Sequence, residues 1–371
     1  MNKGLVKMKK FAVDDVYNLI FDVFLVLGIP ADEVKICADV LIESDLRGIE
    51  SHGVGRLKMY YDRIRDGIIN PITKITKIRD HAAIATWDGN NGMGQVVSFH
   101  AMNEAIQKAK KYGLGSVAVR NSNHYGIAGY FTKMASDQNM IGLTVTNARP
   151  SMAPTNGVEP MLGTNPIAFS APSDCEFDFL FDGATSIIQR GKIEVKAREN
   201  AEVPKNWVID NKAEYMTDPQ QILKNLVSQT ASFLPIGGME EISGGHKGYG
   251  LATIVEILSA SLQTGSFMHQ LSGSEGGKKV PYKLGHFFLA MDISAFTDLN
   301  NFKHTTGEIM RQLQNSAKAP GKDRVYVAGE KEYLKGVQIR KNGIPINDAL
   351  LKNINIMIDE LRLEKQKKVF R

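Results

Sequence analysis

Apolar residues near the start of the chain recur at three- and four-residue intervals, which predicts helices over 11–26 and 31–48 joined at Gly28-Ile29-Pro30. In the second of these, Val34, Ala38, Leu41, Ile42 and Leu46 would share one face. That helix is expected to run out in RGIESHGVGR, where three glycines break it. The helical spacing returns over 97–112, with Val97, Ala101, Ala105, Ile106 and Ala109 on one side. Further helices are predicted over 131–138, 217–226, 251–262, 300–316 and, last, 353–363. The one at 217–226 opens on Asp218-Pro219, an acidic residue and a proline where a first turn favours both. Shorter apolar runs predict strands over 115–120, 140–147, 166–172, 177–183, 191–196 and 283–293, with a Gly/Pro/Asn-rich connection over 148–166. Helices dominate both ends, and strands follow one another in the middle without intervening helices. The fold class is therefore a mixed α/β (α+β) one, and a plain parallel sheet is disfavoured.

Composition narrows the functional classes. The 371 residues are 43% hydrophobic and 23% charged, enough for a large core spread over two or three domains. Forty-five basic against 40 acidic residues leave a net charge of +5, dispersed along the chain. The densest basic cluster, KQKKVFR at the C-terminus, reads as a helix-end cap or a solvated tail. No basic stripe interleaved with aromatics points to nucleic acid. The longest apolar stretch, NLIFDVFLVLGIP, is interrupted by Asp22 and too short to span a bilayer. Two distant cysteines, Cys37 and Cys175, offer neither a disulfide framework nor a thiolate metal site, which suits the cytoplasm.

The familiar nucleotide-binding signatures do not fit. Gly113-Leu-Gly115-Ser-Val-Ala118 matches GxGxxA, but it follows a helix and enters a strand, the reverse of the dinucleotide turn. GGHKGYG is a better anion site, because its glycines and Lys247 precede a helix whose free N–H groups and dipole favour negative charge. Of eight histidines, His81, His100, His269 and His304 read as surface or packing residues, and His286 as structural. His52 in ESHGVGR and His124 in NSNHYG differ, since each stands at the mouth of a regular element with glycine close behind. Imidazole titrates near neutrality and can carry a proton through a reaction. Arg56, four residues beyond His52, could hold a carboxylate in a two-pronged grip. No acidic or cysteine partner stands at ligand spacing from either histidine, so no metal is expected.

ESHGVGR, RNSNHYGIAGYF, TNARPSMAP, MLGTNPIAFSAP, FDGATS running into IIQRGKIEV, LPIGG and GGHKGYGLA occur in that order. Together, from about residue 10 to about residue 365, they resemble the malate/L-lactate dehydrogenase family of NAD(P)-dependent oxidoreductases. This family is distinct from the Rossmann-fold lactate and malate dehydrogenases. The resemblance implies a homodimer that moves hydride between NAD or NADP and a small 2-hydroxy, 2-keto or imino acid, with the cofactor on a largely antiparallel, non-Rossmann sheet. It implies a helical domain over 1–75, a mixed α/β domain from 76–138 with 300–371, and a cofactor-binding sheet domain over 139–299. His52 and His124 would be the acid/base candidates, with His52 slightly favoured, and Arg56 would lie on the substrate side. Cofactor contacts would come from Asp182, Gly183, Ala184, Thr185 and Ser186, from His246 and Lys247, and from Gly329, Glu330 and Lys331. Gly183 departs from the family, whose members more often carry a side chain there. TNARPSMAP is closer to the malate- and sulfolactate-oxidising branch, and its Arg149 would suit a second anionic group. Malate is thus the expected substrate, with sulfolactate, lactate or a keto/imino acid as alternatives.

Overall fold

A computed structural model describes residues 8–371. Strand β1 (Met8–Phe11) leads into helices α1 (Val13–Val26), α2 (Ala31–Leu46) and, after a 3-10 turn, α3 (Leu57–Arg65). The hairpin β2 (Thr76–His81) and β3 (Ile84–Asp88), α4 (Gly94–Tyr112), β4 (Leu114–Ser122), α5 (Ala128–Ser136) and β5 (Met140–Thr146) follow. Next come β6 (Ile167–Ala171), β7 (Phe179–Gly183), α6 (Arg190–Glu199), β8 (Val208–Asp210), α7 (Pro219–Val227), β9 (Ala231–Phe233) and α8 (Gly245–Ala260). The rest comprises β10 (Ser274–Glu275), β11 (Lys278–Lys279), β12 (Leu284–Asp292), α9 (Leu299–Gln314), α10 (Glu330–Asn342), β13 (Ile344–Asn347), α11 (Asp348–Leu361) and α12 (Glu364–Phe370).

Seven strands form the central sheet in the order β2-β3-β4-β12-β5-β6-β7. Only β3 and β4 run parallel, so the expected largely antiparallel, mixed α/β architecture is what the chain adopts. Strand β12 arrives late in the sequence yet sits between β4 and β5, setting His286 opposite Val119 on one side and Thr146 on the other. Three larger hydrophobic clusters support this frame. One joins α1, α2 and α3 to β13, α11 and α12. A second packs α4 and α5 on the sheet. The third gathers Met152, Leu162 and α6 to α8. Each fully buried large side chain in them contributes about 1.5–3 kcal/mol.

Several elements differ from expectation. Residues 191–196 belong to helix α6, not to a strand. Their apolar-polar alternation is too short to fix a period; the third cluster instead accepts Ile193, and Ala197 one turn on is buried as well. KQKKVFR is no loose tail: it lies in α12, where Phe370 is buried and stacks on Phe11 at 4.7 Å. Helix α3, the β2–β3 hairpin and α10 were not expected from the pattern. In α3, Leu57, Tyr60, Tyr61 and Ile64 are buried at helical spacing, a signal masked by its charged neighbours. Asp218 caps α7 as expected, accepting from the N–H groups of Gln220 and Gln221.

Candidate active site

Strand β4 ends in a turn that the sequence builds with care. The Asn123 side chain is fully buried and donates to the Asn91 carbonyl, the Asn91 amide oxygen and the Gly92 carbonyl. His124 follows, and Gly126 then takes φ of +90°, a conformation that few side chains tolerate. A Cβ on Gly126 would also stand 2.4 Å from Val40 on α2. The turn thus presents His124 at the end of the sheet and starts α5, where the Gly129 N–H donates to Asp182 of β7 at 2.7 Å.

His52 arrives from the other side, on the loop between α2 and α3. Asp45 anchors this loop, accepting from the Val54 N–H at 2.8 Å, and Gly53 lies so close that a Cβ there would meet the carboxylate. The Ser51 hydroxyl occupies Nδ1 of His52 at 2.8 Å. The two imidazoles stack with centroids 5.4 Å apart. Tyr60 of α3 places its hydroxyl 2.6 Å from Nδ1 of His124 and 3.4 Å from the His124 carbonyl. Its oxygen can therefore donate to Nδ1 or, when Nδ1 carries a proton, accept from it and turn its own hydrogen to the carbonyl. Among the described residues no hydrogen bond engages the other nitrogen, Nε2.

Two cavities border His124, and two more share wall residues with the first of them or with each other. The first, about 130 Å³, is walled by His52, His124, Asp182, Ala184, Asn147 and Gln189. Through Ile49 and Asp182 it adjoins a second of about 280 Å³ that reaches Arg47, Gly329 and Lys331. Arg47, Gly329 and Glu332 are shared with a third, about 350 Å³, which adds Lys133, Tyr333 and Arg340. His124 also lines a fourth, about 200 Å³, walled by Arg63, Arg149, Arg190, Tyr282 and Leu284. It contains no acidic side chain.

The electrostatics follow from this enclosure. Burial, reinforced by the Arg56 charge, pushes His52 down to about 3. His124 is held well below its usual value by burial first, then by His52, Arg56 and Arg63. Both rings are therefore neutral at physiological pH. Burial pushes the Asp182 carboxyl up against the opposing pull of the Gly129 N–H and Arg47.

Of the residues singled out in the sequence, His52, His124, Asp182 and Ala184 share the first cavity, Gly329 and Lys331 line the second, and Arg149 the fourth. The others stand elsewhere. Arg56 donates to the Ser51 carbonyl at 2.6 Å, near both histidines but outside the cavity walls. Gly183 ends β7 under the Phe181 ring. Thr185 and Ser186 turn their hydroxyls to backbone carbonyls. Glu330 is buried and braces the loop ahead of α10 through the Val327 N–H, Gln314 and Arg324. His246 and Lys247 are exposed at the start of α8 and line none of the four cavities. Sequence reasoning missed Tyr60, Arg63, Arg47 and Tyr282. For the first two, the helical spacing of α3 was the available signal.

The chain matches the model of the malate/L-lactate dehydrogenase family over residues 11–355. It is 45% identical over 343 residues to a malate dehydrogenase of Pyrococcus abyssi, covering 92% of each protein. It is 36% identical to a malate/(S)-sulfolactate dehydrogenase of Methanothermus fervidus, covering 94% of this chain and 96% of that one. The crystal structure of malate dehydrogenase from Entamoeba histolytica superposes with a TM-score of 0.93 at 41% identity, over 96% of this chain and 99% of the other. With its mixed sheet, paired histidines and branching cavities, the chain belongs to the malate/L-lactate dehydrogenase family of oxidoreductases.

Proposed function

We propose that the protein oxidises malate to oxaloacetate, with NAD or NADP as the hydride acceptor, and that His124 carries the proton. One observation supports this reading above the others. His124 lines both the cavity edged by Asp182 and Ala184 and the cavity walled by arginines. The first three cavities suit an elongated dinucleotide, since each shares wall residues with the next and they carry Arg47, Lys331, Lys133 and Arg340 for its phosphates. A nicotinamide cofactor held there would supply the hydride acceptor for C2 of the substrate.

The remaining steps belong to the chain. Neutral His124 accepts the C2 hydroxyl proton at Nε2 as the hydride departs. Tyr60 accepts from the Nδ1–H of the resulting imidazolium, and the protein walls keep bulk water from the exchange. Arg149 attracts the second anionic group, and Arg56, set back from the cavity walls, adds positive charge beside both histidines. His52 stacks on His124 and completes the wall. Its Nδ1 is tied to Ser51, and it does not reach the arginine-lined cavity, so it is the weaker proton carrier. A three-carbon acid ending in a sulfonate satisfies the same arginines, and sulfolactate is the second reading.

We further propose that the protein works as a homodimer in the cytoplasm. Leu251, Ile254 and Ile257 stand exposed along the outer face of α8, an apolar stripe suited to a second copy. Separate His52→Ala and His124→Ala variants test the chemistry. His124→Ala is expected to lower kcat with malate by ~10²–10⁴-fold and His52→Ala by less. Near-wild-type turnover in both would sink the mechanism.

A further inference from the structure

The arginine-lined cavity holds more positive charge than Arg149 alone explains. Arg63 reaches it from α3, and Arg190 from the first turn of α6. Arg190 is engaged by Glu194 at 3.0 Å. Among the described residues, neither Arg63 nor Arg149 has a carboxylate within ion-pair distance, although Asp62 and Asp66 flank Arg63 in sequence. Those two acids are committed elsewhere, Asp62 to Lys58 at 2.6 Å and Asp66 to Lys279 at 2.7 Å. Arg63 instead lies over the ring of Tyr282, 4.2 Å from its centroid. Gly273 leaves room for that ring, because a Cβ there would stand 2.4 Å from it. The Lys279–Asp66 pair ties the short β10–β11 hairpin, just ahead of Tyr282, to the end of α3. Burial weakens the hold of Arg63 on its proton, yet guanidinium remains charged throughout the working pH range. A charged, largely enclosed fork held over an aromatic face, with no carboxylate partner, is arranged to receive an anion.

We propose that Arg63, positioned by Tyr282, is a specificity-determining residue that pairs with Arg149 to grip the distal anionic group of the substrate. The substrate class is then 2-hydroxy acids bearing a second carboxylate or sulfonate at C3. Monoanionic acids such as lactate leave both guanidiniums unpaired in a confined space and are disfavoured. This rests on the hydroxy-acid dehydrogenase reading above.

The experiment compares wild type, Arg63→Met and Arg63→Lys with malate and with 2-hydroxybutyrate, which replaces the distal carboxylate by a methyl group. The methionine variant is expected to lose roughly 30- to 100-fold in kcat/KM for malate, mainly through KM, the loss typical of a charge-assisted hydrogen bond. Its kcat/KM for 2-hydroxybutyrate should stay within about threefold of wild type or rise. The lysine variant should fall between, retaining charge without the fork. Tyr282→Leu should raise KM for malate more than KM for 2-hydroxybutyrate.

Equal losses on both substrates in Arg63→Met and Arg63→Lys, with melting temperatures matching wild type, overturn the assignment and leave the dehydrogenase reading standing. If Arg63→Met fails to fold, the lysine variant decides: a malate-selective rise in KM supports the assignment, and a parallel loss overturns it. A wild-type enzyme that turns over neither acid with either nicotinamide cofactor overturns both.

Discussion

At the scale of single residues, the central arrangement is the 2.6 Å contact between the Tyr60 hydroxyl and Nδ1 of His124. It fixes the ring and serves the imidazole in both charge states. Tyr60→Phe should therefore lower kcat about fivefold, the worth of one hydrogen bond of about 1 kcal/mol, with little change in KM. A larger loss confined to KM would place Tyr60 in substrate binding instead. The pH dependence follows from the depressed basicity of His124. A base whose pKa is lowered stays neutral, and so able to accept a proton, further into acid. In the oxidation direction the acid limb of kcat/KM should lie below the usual imidazole value near ~6.5. An acid limb at or above that value contradicts the enclosed site. The residues of this site were unevenly legible. His124 stood out through its Asn-Ser-Asn setting and following glycine. Tyr60 did not, because its partner lies 64 positions away and the contact exists only once α3 packs against the end of β4.

At the scale of elements, the loop between α2 and α3 depends on a buried acid. Asp45 is raised from 3.8 to about 8, chiefly by burial, with the Val54 N–H pulling the other way. Below pH 3.8 it is protonated in both folded and unfolded chains. Between 3.8 and about 8 the unfolded chain ionises it and the folded chain does not, so its contribution to stability is lost as pH rises through that window. Asp45→Asn keeps an acceptor for Val54 and removes the ionisation. Its melting temperature should exceed wild type at pH above about 8 and show a flatter decline from acid to alkali. An unchanged slope would mean that Asp45 is already ionised in the folded protein. Element identity was readable where amphipathic periods were long, as in α1, α2 and α4. It failed where a segment was too short to fix a period, as in α6, and where packing supplied the answer. Nothing in KQKKVFR announces that Phe370 will stack on Phe11 at the far end of the chain.

At the scale of the whole molecule, sheet order was the least legible feature. Strand β12 pairs with both β4 and β5 through more than a hundred residues of intervening chain, and this insertion brings Leu284 and Tyr282 beside His124. The mixed, largely antiparallel class was nevertheless predictable from consecutive strands without helices between them. Assembly is tested at this scale too. With Ile254→Glu and Ile257→Glu combined, light scattering should report monomer where wild type reports dimer, with helical content retained. A dimer of unchanged mass would move the interface off α8.

The most direct test of the account is the initial rate of nicotinamide reduction by the wild-type chain, offered malate or lactate with NAD and with NADP. Malate-dependent reduction of at least one cofactor is expected, at a kcat/KM roughly 100-fold or more above that for lactate, as an arginine pair awaiting a second anion requires. Equal rates with the two acids, or no malate-dependent reduction of either cofactor, would contradict it.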